Sequence, residues 1–395
     1  MTRKKDPYIE TLDRALKGRT VTGAEELWEQ LEGGKLRCHA CGHRCVILDG
    51  LDGICRVRFN RGGTLHVPRG YVGGLQVDPI EKKPFFHAFP GAVALSFGML
   101  GCDYHCSYCQ NWLTSQALRD RAAQSSPQDL EPGEIVALAR RHHAPAMVST
   151  YNEPLITSEW AMEVFSEARK AGITCGYVSN GNGTPQVLRY IRPHVDLYKV
   201  DLKSFRDESY RTLGGKLHNV LDTIALLKEM GFWVEIVTLL IPGFNDSEEE
   251  LRELTSFLVS VSPDMPWHVT AFHKDYKMTD PEDTTARELV RAAQIGKEAG
   301  LRYVYAGNLP GLVGQWESTC CHECGEMLIE RRGYRILRYR LEERGTCPSC
   351  HSSIPGFWKP GWTVPEAPGG LQGRVPRAVS PLNGGRGAPG SREPG

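Results

Sequence analysis

The stretch that decides the fold is the apolar run Ala92-Val-Ala-Leu-Ser-Phe97, followed after a short loop by Cys102-Asp-Tyr-His-Cys106-Ser-Tyr-Cys109. The second part has C-x3-C-x2-C spacing, and three thiolates on one loop can bind three irons of a 4Fe-4S cube. The fourth iron then stays open for chemistry. A three-cysteine zinc site completed by His105 is the alternative. We favour the cluster because the motif follows a predicted strand, where barrel enzymes place their catalytic loops.

Outward from this motif, short apolar runs alternate with amphipathic runs as far as about residue 307. We predict strands over 92–97, 146–150, 174–179, 197–202, 233–241, 268–272 and 303–305, and helices near 131–142, 158–171, 184–191, 217–230, 247–259 and 284–299. This alternation predicts parallel strands with right-handed crossovers, either in a barrel or in a doubly wound sheet. Six or seven units favour an α/β fold of the partial or complete (β/α) barrel type.

Composition narrows the functional class. The 395 residues predict two or three domains. Lys plus Arg equals Asp plus Glu at 47 each, so bulk charge indicates neither nucleic-acid binding nor attraction to an anionic membrane. No apolar run approaches the roughly 18 residues of a membrane span, and no secretory signal is visible. We expect a cytoplasmic protein.

Twelve of the thirteen cysteines fall into three clusters, and Cys175 stands alone in a predicted strand. In a reducing compartment this clustering indicates metal binding rather than disulfides. The first cluster consists of Cys38, Cys41, Cys45 and Cys55. Its four thiolates suit zinc or an auxiliary 4Fe-4S cluster, with zinc slightly favoured.

The last cluster has the paired C-x2-C spacing of a zinc ribbon, formed by Cys321, Cys324, Cys347 and Cys350. An auxiliary iron-sulfur centre is the alternative, and Cys320 could replace its neighbour Cys321. The predicted organisation is a helical lead-in (1–30), an N-terminal four-Cys module (31–84), the barrel (85–315), a zinc-ribbon-like module (316–358) and a disordered Gly/Pro-rich tail (359–395). Small cysteine-rich modules therefore lie on both sides of the barrel in the sequence.

The C-x3-C-x2-C motif and the strand ends that follow it resemble those of radical S-adenosylmethionine (radical SAM) enzymes, over roughly residues 85–307. In that family S-adenosylmethionine binds the open iron, and the reduced cluster cleaves it to a 5'-deoxyadenosyl radical that abstracts hydrogen. The resemblance implies a 4Fe-4S cluster on Cys102, Cys106 and Cys109. It also implies that S-adenosylmethionine is the second cofactor.

The strand-end segments resemble the glycyl-radical-enzyme activases, the pyruvate formate-lyase activating branch. This resemblance implies cofactor contacts at Tyr108, Asn111, Asn152, Glu153, Ser179, Asn180, Asp201, Lys203 and His273. Asn152 and Glu153 stand where the family has a Gly-Gly-Glu-Pro element that holds the amino group of the cofactor. For His273 a structural role is the alternative.

The order of the modules resembles the radical component of the AmmeMemoRadiSam system. This resemblance implies Memo-like and AMMECR-like proteins as partners, together with a reductant such as flavodoxin or ferredoxin. The function it implies is radical formation for hydrogen abstraction from an unknown substrate, which could be a protein whose glycyl radical is installed. Methylating, rearranging and maturation chemistry stay open. The alternative of another class is a non-catalytic interaction scaffold in which all three clusters bind structural zinc.

Overall fold

The structure, a computed structural model, describes residues 6–365. The helices of this part are α1 (Pro7–Lys17), α2 (Trp112–Ser115), α3 (Pro132–Arg141), α4 (Ser158–Lys170), α5 (Pro185–Ile191), α6 (Asp207–Leu213), α7 (Leu217–Glu229), α8 (Glu248–Val261) and α9 (Ala286–Ala299). Its strands are β1 (Thr20–Thr22), β2 (Trp28–Gln30), β3 (Leu36–Cys38), β4 (Val46–Ile47), β5 (Phe59–Arg61), β6 (Thr64–Pro68), β7 (Tyr71–Val72), β8 (Gly74–Pro79), β9 (Val93–Gly98), β10 (Gln128–Asp129), β11 (Ala146–Ser149), β12 (Thr174–Ser179), β13 (Leu197–Asp201), β14 (Trp233–Leu240), β15 (Trp267–Ala271), β16 (Val304–Gly307), β17 (Thr319–Cys320), β18 (Met327–Arg332) and β19 (Arg335–Tyr339).

The largest sheet has eight strands in the order β16-β15-β14-β13-β12-β11-β9-β8. Neighbouring strands from β9 to β16 are parallel, and β8 pairs antiparallel with β9. Because β8 and β16 form the two edges, the sheet is a partial barrel. The predicted α/β fold with a partial barrel is confirmed. All carboxyl ends of the parallel strands lie at one end of this barrel, which is called the top below.

The predicted elements of the barrel are all present, and each begins and ends within two residues of its predicted bounds. Helix starts agree because their caps are local. Glu131 and Glu134 form a capping box on α3, and Thr285 and Glu288 form another on α9. Strand β8 and helix α6 were not predicted. β8 alternates weakly, since most of its residues are only half-buried.

The helical lead-in is shorter than predicted. Helix α1 ends at Lys17, with Gly18 as its C-cap, and residues 20–30 form two short strands and a single turn of 3-10 helix. The β-branched run Thr20-Val21-Thr22 pairs antiparallel with β6. Tertiary pairing therefore overrides the helical spacing of the later leucines, and the helical prediction for residues 18–30 is wrong.

The last described residues close the bottom of the barrel. The loop that joins β8 to β9 carries His87, whose ring nitrogen Nδ1 lies 2.6 Å from the carbonyl oxygen of Pro355. The N–H of Phe357 donates back to the carbonyl of His87 at 2.8 Å. Trp362 packs edge-on against Phe89. The prediction of a disordered tail from 359 is therefore wrong for residues 359–365, and its remainder, from 366 on, lies outside the described residues.

Across residues 6–365, no helix combines the length and the apolar character needed to cross a membrane.

Candidate active site

The partial barrel encloses a cavity of about 340 Å³ that runs towards the top. Six of the predicted site residues line it: Cys106, Tyr108, Cys109, Asn111, Asp201 and Lys203. The structure therefore brings the cysteine loop and the end of β13 to one space, although about 90 residues separate them in the chain. A concave site at the carboxyl ends of parallel strands is where such folds bind ligands.

The cysteine loop leaves β9 through two glycines that have no room for a side chain. A Cβ on Gly98 would lie 1.9 Å from the carbonyl oxygen of Thr150, and one on Gly101, which has a φ of +96°, would meet Val57 at 2.9 Å. The backbone can therefore turn sharply against the neighbouring strand end. This turn leads directly into Cys102.

The three thiols are free of disulfides and unlike a single-ion site. Cys106 is buried, and burial raises the pKa of its thiol to about 12. A zinc ion with Zn–S bonds of about 2.3 Å holds its sulfurs about 3.8 Å apart. Among residues 6–365, Cys321, Cys324, Cys347 and Cys350 are the one group of three or more such ligands whose donor atoms all lie within 4.8 Å of one another. Cys102, Cys106, Cys109 and His105 therefore do not converge on one ion, and thiolates bound to separate irons of a cube do not have to.

Asp103, inside the cysteine motif, ties the loop to the end of β12. Its side chain is fully buried and accepts hydrogen bonds from the side-chain amides of Asn180 (2.7 Å) and Asn182 (2.8 Å). Asn180 is a predicted site residue, whereas Asp103 and Asn182 were not singled out from the sequence. The signal was present in the motif Asn180-Gly-Asn182, whose alternate side chains point to one partner.

Glu153 organises the same strand ends from the other side. One carboxylate oxygen accepts from the Ser179 hydroxyl (2.7 Å) and the Leu155 N–H (3.1 Å), and the other accepts from the Asn180 N–H (2.7 Å). Burial and the nearby charge of Asp103 raise the pKa of Glu153. Both oxygens of Glu153 are thus bonded within the protein.

Asn152 is almost buried and also makes its bonds to the protein. Its side-chain oxygen accepts from the N–H of Met99 at 3.1 Å, and its amide donates to the carbonyl of Glu153. Asn152, Glu153, Ser179 and Asn180 therefore form a network behind the cavity wall rather than the wall itself. Their direct contact with a cofactor stays a prediction.

Asp201 lies in a run of charges that faces the cavity. It pairs with Lys199 on its own strand and with Lys203, whose ammonium is 3.3 Å away. Burial alone would raise the pKa of Asp201, but the two ammonium groups hold it at about 2. The carboxylate is therefore ionised under ordinary conditions, and it can accept from hydroxyl groups. Lys199 was not singled out from the sequence.

A second cationic group enters the cavity from the antiparallel edge. The ammonium of Lys83 donates to Asp78 at 2.9 Å and to the hydroxyl of Tyr151 at 3.0 Å. Burial lowers the pKa of Lys83 to about 8, against the opposing effect of Asp78. Sequence reasoning missed this group because β8, which carries the aspartate, was not predicted to be part of the barrel.

Two predicted residues lie at the exposed rim. His273 does not line the cavity, and its Nε2 lies 3.0 Å from the side-chain amide of Gln110 in the cysteine loop. Asn111 is exposed at the start of α2 and borders the cavity mouth. The histidine is thus placed next to the loop but away from the enclosed space.

The C-terminal cysteines form a compact tetrad. The sulfurs of Cys321 and Cys350 are 3.6 Å apart, and those of Cys324 and Cys347 are 3.7 Å apart. These distances match a tetrahedral zinc site. The tetrad contains Cys321 and not its neighbour Cys320, which lies in β17.

Comparison with known proteins relates the chain to one enzyme superfamily and to several individual proteins. A family model described as the radical SAM superfamily matches residues 98–255. The chain is 36% identical over 330 residues to the protein of Methanocaldococcus jannaschii described as uncharacterized protein MJ0808. The aligned region covers 83% of this chain and 97% of that protein. It is 26% identical over 215 residues to the pyruvate formate-lyase-activating enzyme of Staphylococcus epidermidis, over 48% of this chain and 84% of that enzyme.

Among solved structures, a domain of pyruvate-formate lyase-activating enzyme from Bacteroides vulgatus aligns at 22% identity with a TM-score of 0.36, over 41% of this chain and 98% of that chain. The span matched by the family model begins at the last residue of β9. It therefore contains the cysteine loop and the ends of β11, β12, β13 and β14.

Proposed function

Because this chain belongs to the radical SAM superfamily and is related to pyruvate formate-lyase activating enzymes, we propose that it binds a 4Fe-4S cluster and S-adenosylmethionine at the top of the barrel. The observation that carries the proposal is the position of Cys102, Cys106 and Cys109 on one loop, of which Cys106 and Cys109 line the cavity. When bound, these cofactors supply a radical that abstracts hydrogen from a substrate.

The chain's own residues prepare the space for this chemistry. Cys106 and Cys109 border the cavity, and Tyr108 between them is buried with its ring 5.9 Å from that of Phe244. Asp201 offers an ionised acceptor for ribose hydroxyls, and Lys203 offers a cation for a carboxylate. The buried walls exclude water from the enclosed part of the cavity.

The network behind the wall fixes the strand ends that face the cofactor. Glu153 holds the hydroxyl of Ser179 and the backbone of Asn180, and Asp103 holds the side chain of Asn180. We propose that these residues set the backbone geometry around the amino group of the cofactor. Lys83 and Tyr151, at the opposite edge, would then face the substrate.

The test is Cys106→Ala in protein purified without oxygen. We expect the variant to lose the iron bound at this loop and all dithionite-dependent formation of 5'-deoxyadenosine from S-adenosylmethionine. The matched control is Cys175→Ala, which removes a buried thiol of β12 outside the cavity and should keep both properties. Retained cofactor cleavage by Cys106→Ala would refute the proposal. A colourless wild-type protein with zinc alone would instead establish the interaction scaffold.

A narrower proposal is that the substrate is a protein in which the enzyme installs a glycyl radical. It is supported by the similarity to activating enzymes, and it requires a partner with a target glycine. A reductant such as flavodoxin or ferredoxin would supply the electron, and Memo-like and AMMECR-like proteins are the first partners to test. Electron paramagnetic resonance (EPR) should detect a glycyl radical in a partner incubated with the reduced enzyme. Absence of this signal in every candidate partner would reject the narrower proposal.

A further inference from the structure

The N-terminal cysteines are assembled on a small hairpin and the loop after it. In the hairpin of β3 and β4 the N–H of Cys38 donates to the carbonyl of Cys45 at 2.9 Å. The loop that follows brings in Cys55, and the sulfur of Cys45 accepts the N–H of Ile54 at 3.5 Å. Cys38, Cys41 and Cys55 are buried, and none of the four forms a disulfide. Buried free thiols gathered in this way are typical of a metal site.

The spacing of these four thiols differs from that of the C-terminal tetrad in the same molecule. The tetrad converges as a tetrahedral ion requires, with sulfurs 3.6 and 3.7 Å apart. Within residues 6–365, the four sulfurs of the tetrad all lie within 4.8 Å of one another, whereas no three sulfurs of the N-terminal set do. An iron-sulfur cube takes one thiolate at each of its four irons, so its cysteines do not have to converge on a single ion.

One side of the N-terminal cysteine set contacts the candidate active site. The N–H of Gly42, next to Cys41, donates to the carbonyl of Asn182 at 2.8 Å. The side chain of Asn182 in turn donates to Asp103, the residue after Cys102. A Cβ on Gly42 would lie 2.3 Å from the side-chain oxygen of Asn182, so the contact leaves no space between the two loops.

A second contact connects the other end of the set to the same loop. The guanidinium of Arg119 donates to the carbonyl of Cys102 at 2.7 Å and to that of Ile54, before Cys55, at 2.6 Å. A Cβ on Gly101 would lie 3.1 Å from the carbonyl oxygen of Cys55. The backbone of Cys55 in the N-terminal set therefore lies within van der Waals distance of the backbone of Gly101, which precedes Cys102.

The opposite side of the set reaches the surface. Cys45 is half-buried, and four large apolar side chains around it are exposed: Val46 (51%), Leu48 (45%), Leu51 (52%) and Ile54 (44%). A cluster at this position would be accessible to a donor protein from outside. On its inner side it would lie against the cysteine loop.

We propose that Cys38, Cys41, Cys45 and Cys55 hold a second 4Fe-4S cluster, which passes single electrons to the cluster at Cys102, Cys106 and Cys109. The electron comes from a reduced one-electron donor protein of the ferredoxin or flavodoxin class. The donor is oxidised by one electron, the N-terminal cluster is reduced and reoxidised, and the active-site cluster is reduced. No bond of the protein forms or breaks. The identity of the N-terminal cluster stands alone, whereas the electron transfer rests on the proposed function.

The first test counts metals per chain after anaerobic reconstitution. We expect about eight irons and one zinc in the wild-type protein, and about four irons in a variant with Cys102, Cys106 and Cys109 replaced by serine. Cys38→Ser combined with Cys41→Ser should also leave about four irons. The matched control, Cys321→Ser, should keep about eight irons and lose zinc.

The second test measures proximity by EPR of the reduced protein. Two clusters in adjacent loops should interact magnetically, so the wild-type spectrum should differ from the sum of the spectra of the two single-cluster variants. A spectrum equal to that sum would overturn the electron transfer.

The outcomes separate this inference from the proposed function. About four irons and two zincs in the wild-type protein, with cofactor cleavage intact, would overturn the second cluster only. About four irons in the wild-type protein, all kept when Cys102, Cys106 and Cys109 are replaced, would overturn the proposed function and leave the N-terminal cluster. If the triple variant fails to fold, the iron count and Mössbauer spectrum of the wild-type protein still decide the matter.

Discussion

At the residue scale, Glu153 shows how one buried carboxylate can order a site that it does not line. Its oxygens hold the Ser179 hydroxyl and two backbone N–H groups. We expect Glu153→Gln to leave one buried donor without an acceptor, at a cost of about 1–3 kcal/mol. The strand ends should shift, and S-adenosylmethionine should bind about tenfold more weakly.

Calorimetric titration of the cluster-loaded protein measures this difference. The control is Glu163→Gln, which changes a half-exposed glutamate paired with Arg69 on the outer surface and should leave binding unchanged. Equal affinities in wild type and Glu153→Gln would show that the network does not position the cofactor.

Lys83 is the second group whose behaviour depends on burial. Its pKa is lowered to about 8, whereas an exposed lysine titrates near 10.5. Between these two values the unfolded chain binds one proton more than the folded chain, so the contribution of Lys83 to the free energy of unfolding rises with pH over this interval. Below pH 8 the amine is charged and can pair with an anionic substrate group.

Nuclear magnetic resonance of lysine Cε carbons measures the midpoint directly. The signal that disappears in Lys83→Arg should titrate near pH 8, and Lys82→Arg should leave that signal in place. A midpoint near 10.5 would contradict the burial argument.

Sequence reasoning at this scale identified the cysteine loop because three thiolates are spaced in a short motif. It also singled out Asp201 and Lys203, which the structure places in the cavity with that loop, while their contact with a cofactor stays a prediction. It could not identify Lys83 as a cavity residue, because that position depends on an antiparallel strand and a loop from outside the repeating units. It could not give the partners of Asp103 either, since these come from residues nearly 80 positions away.

At the element scale, the end of β9 is the most constrained backbone near the site. Gly98 lies where a Cβ would meet the carbonyl oxygen of Thr150 at 1.9 Å. Because the obstacle is backbone, it cannot rotate away. We expect Gly98→Ala to displace the cysteine loop or prevent folding, with a loss of stability of at least about 3 kcal/mol.

The matched control is Gly133→Ala in the first turn of α3. Gly133 is exposed and has nothing within 4 Å of an added Cβ, so alanine should raise stability by about 0.5–1 kcal/mol. Thermal unfolding and iron content of the two variants test the pair. A Gly98→Ala protein with normal iron content and unfolding temperature would refute the steric argument.

The regular elements of the barrel were predictable because each βα unit carries its own signals. A short apolar run followed by an amphipathic helix recurs along the barrel, and α3, α5, α8 and α9 also begin at a capping side chain. The N-terminal region lacked such agreement between local and tertiary preferences. Gly18 ends α1, and pairing with β6 then draws residues 20–22 into a sheet.

At the scale of the whole molecule, the C-terminal segment is part of the barrel's base rather than an appendage. Arg331 on β18 donates to the carbonyl of Phe86 at 2.8 Å, and His87 contacts Pro355. Burial lowers the pKa of His87 to about 4, so this histidine is neutral at pH 7, and its ring nitrogens face the carbonyl of Pro355 and the hydroxyl of Tyr305. Cys321 and Cys324 of the tetrad precede Arg331 in the chain, and Cys347 and Cys350 lie between Arg331 and Pro355.

If the tetrad binds zinc as proposed, we expect Cys321→Ser to release it and to lower the unfolding temperature of the whole barrel by roughly 5 °C or more. Cys320→Ser, which changes the adjacent thiol outside the tetrad, should keep the metal and the stability. Metal analysis and calorimetry of the two variants measure this difference. Zinc loss without a change in barrel stability would show that the base closes without the ribbon.

The contact between His87 and Pro355 has a consequence for synthesis. The two residues are 268 positions apart, and the ribosome makes every parallel strand of the barrel in the interval. When all eight strands of the main sheet have been made, the bottom of the barrel is still uncovered. The backbone that packs against Phe86 and His87 has not yet left the exit tunnel. We expect the newly made barrel to expose this aromatic base until residue 357 has left the tunnel.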